Sequence, residues 1–143
     1  MTFQVSIFLE NKLGRVKKVT ALLKQEKINI RSIHLNHTAN GWGILNLVVS
    51  DPQRALALLN EGGMSAALRE IVVVRMADTP GGLDELLDGI SRAGVNFTNA
   101  YGRVVDNGDS AYFVIDIQDI PDARIRLEEI GFEIVADSLV YGI

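Results

Sequence analysis

Apolar positions along the chain switch between two rhythms, and the whole switching pattern occurs twice. Val5, Ile7 and Leu9 stand at every second residue, the period of a strand with one buried face. From Val16 the spacing changes: Val16, Val19 and Leu23 recur at intervals of three and four, predicting an amphipathic helix with Lys17, Lys18 and Lys24 outside its apolar stripe. A strand is predicted over about Asn29 to His37. The dipeptide Asn40-Gly41 follows, the preferred type I′ hairpin turn, and then the strand GILNLVV, Gly43 to Val49. Asp51 and Pro52 read as the cap and first residue of a second helix, which Gly62 ends in the left-handed conformation. A short last strand covers Ser65 to Leu68.

An offset of 67 residues lays this pattern on the rest of the chain. It takes Gly14 onto Gly81, Ile28-Asn29-Ile30 onto Val95-Asn96-Phe97, and Asn40-Gly41 onto Asn107-Gly108. The strand positions fall on Val72, Val74 and Met76, and the helix stripe on Leu83, Leu86 and Ile90, joined by Leu87. The strand AYFVIDI follows the second turn. Past it the register slips, so that Gly62 matches Gly131, Asp119 to Gly131 repeats the cap-to-stop design, and Phe132 to Tyr141 reads as the final strand. The chain is therefore two copies of a βαββαβ unit, residues 1–68 and 69–143, of class α+β. Each copy is expected to form a ferredoxin-like antiparallel sheet with both helices on one face. The two are expected to dock side by side, covering exposed strand edges.

Composition narrows the chemistry. Eighteen acidic residues against fourteen Lys and Arg give a net charge of −4, which argues against nucleic acid or an anionic membrane as partner. Without cysteine there is no disulfide, thiolate metal site or Cys nucleophile. The N-terminal MTFQVSIFLENK does not read as a signal peptide, and no apolar run is long enough to span a bilayer, so a soluble cytoplasmic protein is expected. No Walker-type phosphate loop, paired carboxylate or Ser/His/Asp arrangement is present. His34 and His37, three apart on a strand, point to opposite faces and do not share a metal. Catalytic residues, metal and cofactor are accordingly expected to be absent. Trp42 reads as a packing anchor, with ligand stacking as the minor alternative, Tyr101 and His34 as packing or interface residues, and Glu128 and Glu129 as a solvated helix face.

The two glycine turns carry a resemblance. Glu10-Asn11-Lys12-Leu13-Gly14-Arg15-Val16 followed by Ile28-Asn29-Ile30 resembles the ACT domain signature, as does Asp78-Thr79-Pro80-Gly81-Gly82-Leu83 followed by Gly94-Val95-Asn96-Phe97. The resemblance implies a non-catalytic regulatory sensor that binds an amino acid or similar small metabolite where two domains meet. It implies contacts from Asn11, Lys12, Leu13 and Gly14 with Asn29 and Ile30, and from Asp78, Thr79, Pro80 and Gly81 with Asn96. It also implies a partner enzyme or transporter, and leaves a homodimer open. Leu13 stands where the family usually has proline, and Asn11-Lys12 becomes Asp78-Thr79, so the turns are not equivalent.

The residues themselves support a site there: glycine admits a ligand to the backbone, and the N–H groups of a helix N-terminus attract a carboxylate. Asn11 offers both donor and acceptor, and Asp78 can pair with an ammonium. Asn11 and Asp78 also read as plain N-caps, and Asn29 and Asn96 as groups that satisfy the backbone at a helix-to-strand corner. Two rival readings are a small enzyme on a ferredoxin-like scaffold and a purely structural interaction module.

Overall fold

A computed structural model describes residues 1–105 and 108–143. Its compact units are residues 3–69 with 137–143, and residues 70–136 with 1–2. In the first unit β1 (Thr2–Glu10) leads to α1 (Arg15–Gln25), β2 (Ile30–His37), β3 (Trp42–Val49) and α2 (Pro52–Glu61). The next strand, β4 (Ser65–Ala77), runs unbroken through thirteen residues, so the short strand at Ser65 and the first strand of the repeat are one element. The second unit continues with α3 (Gly82–Arg92), β5 (Ala100–Val104), β6 (Ser110–Asp116) and α4 (Ala123–Glu129).

Strand order in the first unit is β2-β3-β1-β4, and β3 lies antiparallel to both neighbours, with Val5 opposite Leu47 and Ile7 opposite Leu45. The alternating residues Val5, Ile7 and Leu9 are buried, and Val19 and Leu23 of α1 and Ala55 and Leu59 of α2 pack on that same face. In the second unit the order is β4-β6-β5, with Val72, Val74, Phe113 and Ile115 facing Leu86, Ile90, Ala123 and Leu127. Both units thus carry two helices on one sheet face, the ferredoxin-like plan. Of the predicted stripe on α3, Leu83 and Leu87 remain exposed, because the face turned to the sheet is narrower than the apolar one.

The dipeptides keep their left-handed conformation, Asn40 at φ 69° and Gly41 at φ 78°. His37 pairs with Gly43, however, and the Thr38 N–H donates to the Trp42 carbonyl, so the connection is the three-residue turn Ala39–Gly41 and not the two-residue type I′ hairpin expected. Gly108 is left-handed too, whereas Asn107 of the matching turn lies outside the described residues. Asp51 caps α2, its Oδ1 accepting from the Arg54 N–H at 3.1 Å, but Gly62 has φ −75° and the left-handed residue is Gly63. The second copy does not repeat that cap: α4 starts only at Ala123, preceded by a left-handed Asp122 without a capping bond.

The end of the chain departs further from expectation. Of the strand predicted over Phe132 to Tyr141, only an isolated bridge forms, Val74 to Ile134. The chain then turns into α5 (Asp137–Tyr141), which packs against β3 of the first unit. There the Tyr141 hydroxyl accepts from the Phe3 N–H at 2.7 Å, and Val140 and Tyr141 are buried.

Candidate functional site

At the end of β1 the chain makes a tight turn. The Asn11 N–H donates to the Gly41 carbonyl (2.6 Å), the Lys12 N–H to Glu10 (2.8 Å), and the Arg15 N–H to Lys12 (3.2 Å). Gly14, at φ 84°, is the cap residue of α1, and the Lys18 N–H donates to its carbonyl. The second turn is built alike. Gly81, at φ 85°, caps α3, the Gly82 N–H donates to Thr79, and the Glu85 N–H to Gly81. The cap reading of Asn11 and Asp78 is therefore corrected: in both turns a left-handed glycine three residues later holds the cap position. The side chains of Asn11 and Asp78 are left exposed at the turn.

Lys12 turns back on its own strand, with Nζ 2.7 Å from Oε2 of Glu10. That hydrogen bond, then the Lys12 charge, and to a smaller degree Arg15, hold the Glu10 carboxyl below its ordinary pKa against a slight opposing effect of burial. Leu13 is fully exposed at 105%.

Within a unit the predicted residues do not converge. Asn11 bonds beside the first residue of β3, whereas Asn29 bonds beside the last, exchanging bonds with Ser50 (Asn29 N–H to Ser50 Oγ and Ser50 N–H to the Asn29 carbonyl, both 2.9 Å). Eight residues of strand separate the two ends, roughly 25 Å at the rise of a β-strand. The second unit repeats the separation: the Asp78 N–H donates to Asp109, just before β6, while Asn99, near Asn96, accepts from Asp116 at its far end.

Each turn flanks a cleft. The first, of ≈ 370 Å³, is lined by Phe8, Glu10, Arg15, Lys18, Trp42 and Met64 among others, and Gly63 lies at its rim. The second, of ≈ 280 Å³, is lined by Arg75, Ala77, Gly82, Glu85, Leu86 and Phe132. These are the same place in the repeat: Arg75, Ala77, Gly82 and Glu85 match Phe8, Glu10, Arg15 and Lys18, and after the register slip Phe132 matches Gly63. Asn96 lines a different cleft, of ≈ 390 Å³, with Leu87, Ser91 and Phe97.

Sequence reasoning missed Arg15, Lys18, Gly63 and Met64, and read Trp42 as a packing anchor before a ligand-stacking residue; it does stack on Phe8, with centroids 4.7 Å apart. A signal existed. The first turn of α1 holds Arg15, Lys17 and Lys18 and no acid, against the helix dipole, whereas α3 opens with Asp84 and Glu85.

The sequence matches the family model described as an ACT domain pair over residues 1–142. This chain belongs to the ACT family. The ACT pair is similar to protein BT0572 from Bacteroides thetaiotaomicron, at 31% identity and a TM-score of 0.88 over 99% of this chain and 96% of that one. It shares its fold with the ligand-free regulatory subunit of aspartate kinase from Thermus thermophilus (16% identity, TM-score 0.64, 90% and 92% of the two chains). The corresponding subunit from Thermus flavus is also similar in fold, at 17% identity and a TM-score of 0.58 over 90% of this chain and 91% of that one. No curated protein matches the sequence. Among the described residues of the ACT pair, no helix is long and apolar enough to cross a membrane.

Proposed function

We propose that this ACT pair is a cytoplasmic regulatory module that binds an amino acid or similar small metabolite and passes its occupancy to a partner enzyme or transporter. The observation that carries this reading is the match to an ACT domain pair over nearly the whole chain. The site proposed is the turn Asn11–Gly14 with the cleft beside it. Here a left-handed glycine frees the backbone for close approach, and Asn11 presents an exposed side-chain amide that has no hydrogen-bond partner among the described residues. Asp78–Gly81 forms the corresponding, chemically different turn, and Asn29, Ile30 and Asn96 belong to the opposite ends of their units. In this reading the module is non-catalytic and turns over no substrate by itself.

A thermal-shift panel of the common amino acids tests the proposal. A ligand that binds only the folded protein stabilises it by roughly 2.7 kcal/mol at a hundredfold excess over Kd, a melting shift on the order of 5–10 °C for a chain of this size. Because Asn11 is not a cap, Asn11→Ala is expected to leave the unliganded melting point within about 2 °C of the parent, so loss of the ligand-induced shift reports binding. A responsive ligand whose shift survives both Asn11→Ala and Asp78→Ala would place the pocket away from the turns.

A further inference from the structure

We infer that the cleft beside the first turn selects a small dicarboxylate, with Arg15 and Lys18 as the selecting residues, and that the matching cleft of the second unit does not take this ligand. The inference rests on the reading that the first cleft is the ligand site, and adds the charge class of the ligand and the number of sites per chain.

Three charged side chains line the first cleft: Glu10, Arg15 and Lys18. Glu10 is already matched by Lys12 at 2.7 Å. Neither Arg15 nor Lys18 makes a contact-distance salt bridge among the described residues, although the Arg15 charge acts on Glu10 at longer range, and, three apart on α1, they project from one side of the helix. Two like charges in a concave site repel one another, and at a helix N-terminus the backbone dipole adds to the cost. A neutral amino acid brings one carboxylate together with an ammonium, and leaves this excess of positive charge uncancelled. A second carboxylate reduces it by one charge in an acidic amino acid and cancels it in a dicarboxylate without an amino group. Most of the rest of the lining, the stacked Phe8 and Trp42 with Leu9 and Met64, is apolar and suits a short carbon chain between the two acidic ends, with Ser65 the one further polar side chain.

The matching cleft carries the opposite arrangement. Its one cation, Arg75, is held by Glu133 at 3.0 Å and lies over the Tyr112 ring at 5.2 Å from the centroid. Glu85 stands where the first cleft has Lys18, and Phe132 fills the place of Gly63. An anion entering there meets an acid and a ring.

Calorimetric titration and thermal shift of the full chain test this at constant ionic strength. The ligands are aspartate, glutamate, succinate and glutarate, against asparagine and glutamine as neutral isosteres. One dicarboxylate is expected to bind at one site per chain, at least about tenfold more tightly than the matching amide, as a charge-assisted contact implies. Arg15→Gln and Lys18→Gln should each remove most of that preference, while Glu85→Gln in the second cleft leaves it in place. Preference for succinate or glutarate over aspartate or glutamate would identify a ligand without an amino group, and the reverse an acidic amino acid. A neutral amino acid binding as tightly as the acids, or an acid whose preference survives both substitutions, overturns the inference and leaves the ligand-binding reading standing. No response to these ligands or to any common amino acid overturns both.

Discussion

Arg15 and Gly82 occupy the same step of the repeat, one residue past a left-handed glycine, yet the two units use that step in opposite ways. In the second unit the helix enters so close to the strand it leaves that a Cβ on Gly82 would stand 2.2 Å from the Ala77 carbonyl oxygen. In the first unit the step is wide enough for an arginine side chain, half-buried at the cleft. A second exchange runs parallel to it. Leu22 of α1 packs over Gly62 in the first unit, whereas in the second Gly89 of α3 lies under the ring of Phe132. Bulk has moved from the helix to the chain that follows the second helix of the unit, and there it lines the smaller cleft, ≈ 280 Å³ against ≈ 370 Å³. The lesson is that a repeat preserves its backbone turns while the side chains around them decide the size and the charge balance of the cavity in each copy.

The largest expected effect breaks this comparison at Gly82. Gly82→Ala drives a Cβ into backbone that cannot yield, and should destabilise the protein by about 3 kcal/mol. Arg15→Ala, at the matching step, should cost no stability in the same urea denaturation experiment, and at low salt should add up to about 1 kcal/mol by removing a cation from the helix N-terminus. Comparable losses at both positions would mean that the two turns are built alike after all.

Next comes the exchange of bulk. A Cβ on Gly89 would stand 2.3 Å from Cζ of Phe132, so Gly89→Ala should cost roughly 1–3 kcal/mol despite the helix propensity of alanine. Adding Phe132→Ala removes the ring that alanine strikes. The double variant should therefore show a favourable coupling of about 1 kcal/mol or more against the sum of the singles. Strict additivity would show that the glycine serves something other than the ring.

A smaller effect, of opposite sign, belongs to the cations of the first turn. If Arg15 and Lys18 are kept for a ligand, they burden the empty protein. Arg15→Gln and Lys18→Gln should then each stabilise the unliganded chain by about 0.3–1 kcal/mol at low salt, an increment that fades as salt screens the dipole. Substituting the acids at the same place on α3, Asp84 or Glu85, should act in the other direction.

The smallest effect concerns Glu10. Its carboxyl is held below its ordinary value because Lys12 bonds it and lies beside it as a charge. A depressed carboxylate contributes stability above its unfolded value and loses it as pH falls through the folded value, so this contribution is present at neutral pH and disappears as pH falls below the ordinary carboxylate range. An NMR titration should find the Glu10 pKa rising toward its ordinary value in Lys12→Met. An unchanged titration would assign the depression to Arg15 instead.

Much of the fold was legible because it depends on short-range physics. A period of two for Val5, Ile7 and Leu9, a period near 3.6 for Val19 and Leu23, and glycine at φ above zero for Gly14, Gly81 and Gly41 are requirements that neighbouring residues impose on one another. They repeat at 67 residues, and the family follows from that repetition. What the sequence could not decide was every outcome that depends on a distant partner. Phe132 to Tyr141 alternates well enough to be a strand, but a strand exists only where an edge receives it. The backbone finds one in β4 at Ile134 alone, and Val140 and Tyr141 find their burial beside β3 instead. The candidate site divides for the same reason. Asn11 and Asn29 lie eighteen positions apart in the chain, yet the strand direction sends them to opposite ends of β3, while Arg15, Trp42 and Met64, from three separate segments, meet at one cleft. Local periodicity determines which face of an element is buried; only the assembled sheet, which fixes direction and neighbours at once, determines which residues share a cavity.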